Sequence, residues 1–291
     1  MNEAVSGGKK QEIWTVLKIL NWTKGYLAEK GVENARLEAE WLLCSALGLD
    51  RVGLYVNFDK PLSEAELALF RGMVARRARR EPLQYILGTQ EFMGVEFDVT
   101  PAVLIPRPDT AALVEEAVRR GAEARRVLDI GVGSGCIAIS LARLLTGAEV
   151  FGVERSPEAL AIARRNAEKH GVTVALFDGS LFEPFPGQRF DLIVSNPPYI
   201  PTGDLENLQP EVRDFEPRGA LDGGTDGLDY YRLIIPAAPD YLTPDGLLLF
   251  EVGIGQAEAV LALFAGTGRF DGLFTARDAA GIDRVAGGRL T

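Results

Sequence analysis

RVLDIGVGSGC, residues 126–136, passes from a short apolar strand through three alternating glycines into the first turn of a helix. Glycine lets a backbone turn sharply and lets a ligand approach without a Cβ in the way, and a helix N-terminus points N–H groups at whatever lies there. Val132 and Ser134 separate Gly131, Gly133 and Gly135, so the spacing is G-x-G-x-G, without the last glycine of the dinucleotide pattern. The alternation of strand and helix continues outward. AEVFGVE (148–154), VTVALF (172–177), FDLIVSN (190–196) and GLLLFEV (246–252) are apolar runs of the kind buried in a parallel sheet. Helical stretches such as 157–170 and 256–264 lie between them, and the tail RFDGLFTARDAAGIDRVAGGRL adds two β-prone segments joined by a turn. This pattern predicts an α/β fold, a doubly wound, mostly parallel seven-stranded sheet with helices on both faces.

Upstream the period changes. Ile13, Val16, Leu17, Leu20, Tyr26 and Leu27 recur at helical spacing, as do Leu37, Trp41 and Leu42, then Leu67, Phe70, Val74 and Ala78. Ser63 with Glu66 three residues later has the form of a capping box. The expected organisation is a small all-α domain over residues 1–80, a β-hairpin linker over 81–107, and a catalytic domain over 108–291.

The chain has 291 residues, 47% hydrophobic and 25% charged, the balance of a globular protein. Its formal net charge of −10 argues against general nucleic-acid binding, which is driven by basic side chains displacing counterions. Arg71, Arg76, Arg77, Arg79 and Arg80 nevertheless cluster without an acid, either as a solvated helix face or as a docking patch for an acidic partner. Two cysteines exclude a disulfide framework, and Cys136 is expected to be a small buried side chain. One histidine, His170, rules out a His-rich metal site and is placed as a helix C-cap, so no metal is expected. No apolar run is long enough to span a bilayer, which points to a cytoplasmic protein.

Two further features sharpen the site. Glu154 ends the next strand, twenty-three residues after Gly131, close to the offset at which a carboxylate reaches ribose hydroxyls. Asp129, just before the glycines, suits either holding the loop through backbone N–H groups or meeting the ligand. SNPPYI, residues 195–200, then follows an apolar strand. Two prolines remove N–H donors, which leaves the Asn196 amide and the carbonyl oxygens as the exposed groups, with the flat face of Tyr199 beside them. That arrangement suits a planar group bearing an NH2.

DIGVGSG followed by NPPY resembles the class I S-adenosylmethionine-dependent methyltransferases that modify planar amide or amine nitrogens. EPLQYILGTQEF, LIPRPDT, NPPYIP, DFEPRGALDGGTDGLDYY and the terminal DRVAGGR extend the likeness to the PrmC/HemK family, over about residues 10–291. The resemblance implies a Rossmann-like fold and N5-methylation of the glutamine in the Gly-Gly-Gln motif of peptide chain release factors, with S-adenosyl-L-homocysteine as the product. It implies that Gly131, Val132, Gly133, Ser134, Gly135 and Glu154 bind the methionine and ribose portions of the cofactor, with Asn196 touching it as well. It also implies that Asn196, Pro197, Pro198 and Tyr199 hold the substrate amide. Where the family usually has an acid and a bulky apolar residue beside the adenine, this chain has Ser180 and Leu181, with Asp178 two residues earlier. Pro106 to Thr110 is expected over the cofactor.

An amide nitrogen is a poor nucleophile, so catalysis by positioning is expected, with reacting atoms about 3 to 3.5 Å apart. The Asn196 oxygen and the Pro197 carbonyl would accept the two amide hydrogens. A monomer acting on a protein, with no membrane and no direct nucleic acid, is the expected form. The alternatives are an N6-adenine DNA methyltransferase, which flips its base into such a pocket, a glutamine methyltransferase of a ribosomal protein, and a cofactor-binding interaction protein without turnover.

Overall fold

The computed structural model describes residues 13–291. The chain divides into two compact units, one ending at Leu87 and one running from Gly88 to Thr291.

The smaller unit holds five helices, α1 (Val16–Glu29), α2 (Ala35–Leu47), α3 (Arg51–Val56), α4 (Glu64–Ala78) and α5 (Leu83–Leu87). Their apolar stripes converge on Val16, Leu27, Leu42, Leu54 and Phe70, all essentially without exposure. Ser63 begins α4 with the capping box its sequence predicts: the Ser63 side chain accepts the Glu66 N–H, and Glu66 accepts the Ser63 N–H. The arginine cluster is a solvated face only in part. Arg76 donates to Glu81 through Nε and Nη2 at 2.9 and 2.6 Å. Arg77 is buried against Glu38, and Arg80 Nη1 reaches the Gly31 carbonyl at 2.9 Å. The end of α4 spends most of its charge on carboxylates and carbonyls of its own unit, and Arg71 and Arg79 are the exposed members.

The larger unit opens with the hairpin β1 (Thr89–Phe92) and β2 (Val95–Asp98), followed by α6 (Ala111–Arg120). This hairpin, expected in a linker, is part of the unit's core: Phe92 and Phe97 are buried with Leu113 and Val114. Asn166, fully buried, clasps it, accepting from Asp98 N and donating to Asp98 O. Two aromatic side chains with an apolar core to enter make the hairpin a packed element. Residues 83–87, inside the expected linker, form α5 of the other unit.

The sheet follows with β3 (Arg126–Ile130), α7 (Cys136–Leu144), β4 (Glu149–Glu154), α8 (Pro157–Lys169), β5 (Val174–Asp178), β6 (Phe190–Ser195), α9 (Pro210–Phe215), α10 (Asp229–Ala237), β7 (Leu242–Glu251), α11 (Ala257–Thr267), β8 (Phe270–Arg277) and β9 (Asp283–Leu290). Strand order is β5-β4-β3-β6-β7-β9-β8, with the first five parallel and β8 and β9 antiparallel. The seven-stranded, mostly parallel expectation holds. β6 and the end of β7 are buried as contiguous runs, whereas β5, at the sheet edge, is only half-buried. The chain winds outward from β3 to β5 and then returns to start β6 on the other side of β3. Ligands bind at such a reversal, outside the carboxyl ends of the strands. His170 caps α8 as expected, its ring against Phe97 and its Nε2 3.0 Å from the Glu96 carbonyl.

Candidate active site

The carboxyl ends of β3, β4 and β6 open into one cavity of about 320 Å³. On one side it is lined by Gly131, Val132, Gly133 and Ser134, with Glu154 beside them, and on the other by Asn196, Pro197 and Pro198. The stretches 102–107 and 217–220 complete its rim, and Ser180 and Leu181 complete its wall.

The glycine loop is shaped for something small to lie on it. Gly131, Gly133 and Gly135 all have positive φ, at 81°, 56° and 86°. A Cβ on Gly131 or Gly133 would meet nothing within 4 Å, so these positions face open space, whereas one on Gly135 would lie 2.8 Å from Ile139 Cδ1. The first two glycines therefore serve the cavity and the third serves packing. Behind the loop Asp129 Oδ2 accepts the Ala138 N–H at 3.1 Å, while its Oδ1 is buried without a partner. Burial pushes the Asp129 carboxyl up to about 7, and the charge of Glu154 adds to the rise. Asp129 thus holds the start of α7 from behind the loop. Asn166 Nδ2 donates to the Ser134 carbonyl at 2.8 Å, fixing the loop from below.

Glu154 accepts the Gly133 N–H on Oε2 at 3.0 Å and the Ser156 N–H on Oε1 at 2.9 Å. Each oxygen keeps a lone pair for a hydroxyl partner. Leu181 stands at φ 52°, and the Ser180 N–H is taken by Glu183 Oε2. Asp178 is exposed at the end of β5 and does not line the cavity. Cys136 is buried, its thiol pushed up to about 12 by burial, and it is no thiolate.

Asn196 lies half-buried at the end of β6 and donates through Nδ2 to Thr110 Oγ1 at 3.3 Å. Thr110 belongs to the LIPRPDT segment, whose Pro106 and Arg107 also line the cavity. Arg107 pairs with the buried Glu216 of DFEPRGAL, tying two rim segments together. Arg155 does the same at the end of β4, donating to the Gly219 carbonyl at 3.1 Å. Tyr199 is not part of the cavity wall. Its ring packs toward the core, its hydroxyl donates to Glu251 Oε1 at 3.4 Å, and its carbonyl accepts from Gln256 at 2.9 Å. A Cβ on Gly227 would lie 2.2 Å from the Tyr199 carbonyl oxygen, which explains the last glycine of DGGTDG. Thr110 lines the cavity, as expected of the segment Pro106 to Thr110, whereas sequence reasoning passes over Asn166 and Glu251; the signal for Glu251 is an acid closing an otherwise apolar strand.

Residues 18–88 match the PrmC N-terminal domain family and residues 107–208 the methyltransferase small domain family. A release factor glutamine methyltransferase of Geobacter sulfurreducens is 71% identical over 282 residues, covering 97% of this chain and 99% of that one. Another, of Moorella thermoacetica, is 46% identical and covers 89% of this chain and 92% of that one. Among solved structures, a T. thermophilus 16S rRNA N2 G1207 methyltransferase in complex with AdoMet and guanosine superimposes with TM-score 0.51 at 22% identity, over 70% of this chain and 50% of that one. The hMettl16 catalytic domain does so with TM-score 0.55 at 18% identity, over 74% of this chain and 81% of that one. At these identities the likeness to solved structures is one of fold.

Proposed function

The chain belongs to the release factor glutamine methyltransferase family, and from that premise we propose that it methylates the side-chain amide nitrogen of the glutamine in the Gly-Gly-Gln motif of peptide chain release factors, in the cytoplasm and as a monomer. The observation that carries this reading is the shared cavity: the glycine loop and the Asn196–Pro198 segment face the same space. A donor held by the one therefore meets an amide held by the other.

The residues fit S-adenosylmethionine. Gly131 and Gly133 offer an open cradle for its methionine end, and Glu154 offers acceptor lone pairs for ribose hydroxyls. Ser180 and Leu181 offer a wall for the adenine. When bound, the cofactor supplies an electrophilic sulfonium methyl and leaves as S-adenosyl-L-homocysteine.

The protein's part is orientation. Asn196 Oδ1 and the Pro197 carbonyl accept the two amide hydrogens and hold the nitrogen toward the glycine loop. Partial negative charge on these oxygens stabilises the positive charge that grows on nitrogen as it bonds to carbon, and the methylated nitrogen then releases one proton to water. Pro197 and Pro198 stiffen the loop, and Tyr199 anchors it to Glu251 and Gln256.

Mass spectrometry of a purified release factor incubated with this protein and S-adenosylmethionine tests the reading, with duplex DNA and ribosomal protein in parallel. The expected result is one added methyl on the Gly-Gly-Gln glutamine. An unmodified release factor alongside methylated DNA or ribosomal protein would sink it.

A further inference from the structure

One buried carboxylate joins LIPRPDT to DFEPRGAL. Glu216 lies just past α9, and its side chain is 1% exposed. Its two oxygens have separate partners in the other segment: Oε1 accepts from Arg107 Nη2, and Oε2 accepts from the Ile105 N–H at 3.4 Å. Burial raises the Glu216 carboxyl, and both partners work against that rise. A carboxylate in such surroundings must be paired in a fixed geometry, so this contact is directional as an apolar one would not be.

The segment that Glu216 holds is stiff and has few anchors of its own. Residues 104–107 form neither helix nor strand, and Pro106 and Pro108 fix two backbone angles while carrying no N–H. At the far end Thr110 takes the Asn196 amide at 3.3 Å, and the buried Arg284 of β9 reaches Asp109 at 3.3 Å. Between the two ends Pro106 and Arg107 line the cavity. A short stiff segment pinned at Ile105 and Arg107, and again at Asp109 and Thr110, carries a shift at one end to the other.

The DFEPRGAL side is fixed as well. Arg155, which follows Glu154, donates to the Gly219 carbonyl at 3.1 Å, and a Cβ on Gly219 would lie 2.8 Å from Arg155 Nη2, so a glycine is needed for the crossing. Glu216 therefore has a firm base from which to hold the other segment. We infer that Glu216 is a positioning residue: it holds residues 105–110 at the rim of the cavity and thereby sets both the wall that the cofactor meets and the Thr110 contact of the amide clamp. The inference rests on the reading of this cavity as the site of methyl transfer.

Glu216→Ala and Glu216→Gln test this in the full chain. The measurements are hydrogen exchange without ligand, calorimetry with S-adenosyl-L-homocysteine, and turnover of a purified release factor at saturating S-adenosylmethionine. Glu216→Ala should speed amide exchange over residues 105–110 at least roughly tenfold, the worth of a charge-assisted hydrogen bond, while β3 and β6 keep their protection. Affinity for S-adenosyl-L-homocysteine and kcat should each fall roughly tenfold, because a displacement that starts away from the reacting atoms is enough to cost that much. Glu216→Gln should stand between, since one amide oxygen cannot serve both partners. A role in stability alone would lower Tm and protection throughout the unit and leave affinity and kcat of the folded protein within about twofold, which overturns the inference while the functional reading stands. If Glu216→Ala does not fold, Arg107→Met at its half-buried position decides the matter, and parental exchange over 105–110 in that variant overturns the inference. Failure of the unaltered protein to bind S-adenosyl-L-homocysteine and to methylate the release factor overturns both.

Discussion

Asn196 and Thr110, 86 residues apart in the chain, meet at 3.3 Å and join the NPPY loop to the LIPRPDT segment. The contact uses the donor end of the amide and so leaves the acceptor end to the cavity. A loop at the end of one strand is thereby organised by a segment that precedes the sheet.

Replacing Asn196 by Ala should lower kcat about 100-fold, the usual loss for one preorganised hydrogen-bond partner. S-adenosylmethionine affinity should hardly change, as calorimetry would show. Asn196→Asp keeps the acceptors but loses the donor to Thr110. Its kcat reads whether the Thr110 contact matters beyond the acceptors, and near-normal turnover in Asn196→Ala would remove the amide clamp.

Gly133 and Gly135 should separate cofactor binding from stability. Both substitutions to Ala cost about 1–2 kcal/mol for positive φ. Gly135→Ala also drives a methyl into Ile139 Cδ1, at 2.8 Å, whereas Gly133→Ala projects into open cavity. The expected outcome is a larger fall in Tm for Gly135→Ala and a larger loss of cofactor affinity, roughly tenfold, for Gly133→Ala. Thermal melts and calorimetry on the two variants read out the contrast.

Stability should fall as pH rises from about 5 to 8. Asp129 and Glu251 are both pushed up to about 7 by burial, against about 4 for such groups in an unfolded chain. The native state therefore binds more protons across that window, and its advantage is lost as pH climbs through 7. Groups held low act elsewhere: Asp98, drawn down by Lys169 and Arg165 against the pull of burial, and Glu66, at about 2 through the Ser63 N–H, lose their contribution only in acid. Melts of Asp129→Asn should show a shallower decline, and an equally steep one would contradict the assignment.

Charge reversal along α4 should discriminate between neighbours. Arg77→Glu breaks the buried pair with Glu38, a loss on the order of 3 kcal/mol or more. Arg79→Glu, at an exposed position, should stay within about 0.5 kcal/mol of the parent. Urea unfolding of both variants is the check, and comparable losses would mean that Arg79 is held as firmly as Arg77.

Much of the fold is legible because its signals are local. A strand buried on both faces needs a contiguous apolar run, as in FDLIVS, and a helix start needs a cap, as at Ser63. The packing of the hairpin and the burial of Arg77 are not legible for a shared reason. Phe97 and Arg77 carry side chains whose fate depends on partners far along the chain, Leu113 and Glu38, and nothing nearby specifies them.

The sequence by itself determined the doubly wound sheet, the glycine turn and the chemistry offered by Asn196, because periodicity, backbone freedom and donor count are properties of a residue and its close neighbours. Tertiary structure alone decided that the Asn196 amide meets Thr110 and that Tyr199 anchors the loop from the core, on Glu251 and Gln256. The physical reason is the strand order. Placing β6 beside β3 brings the ends of strands far apart in the chain to one edge, where the glycine loop and Asn196 line the same cavity.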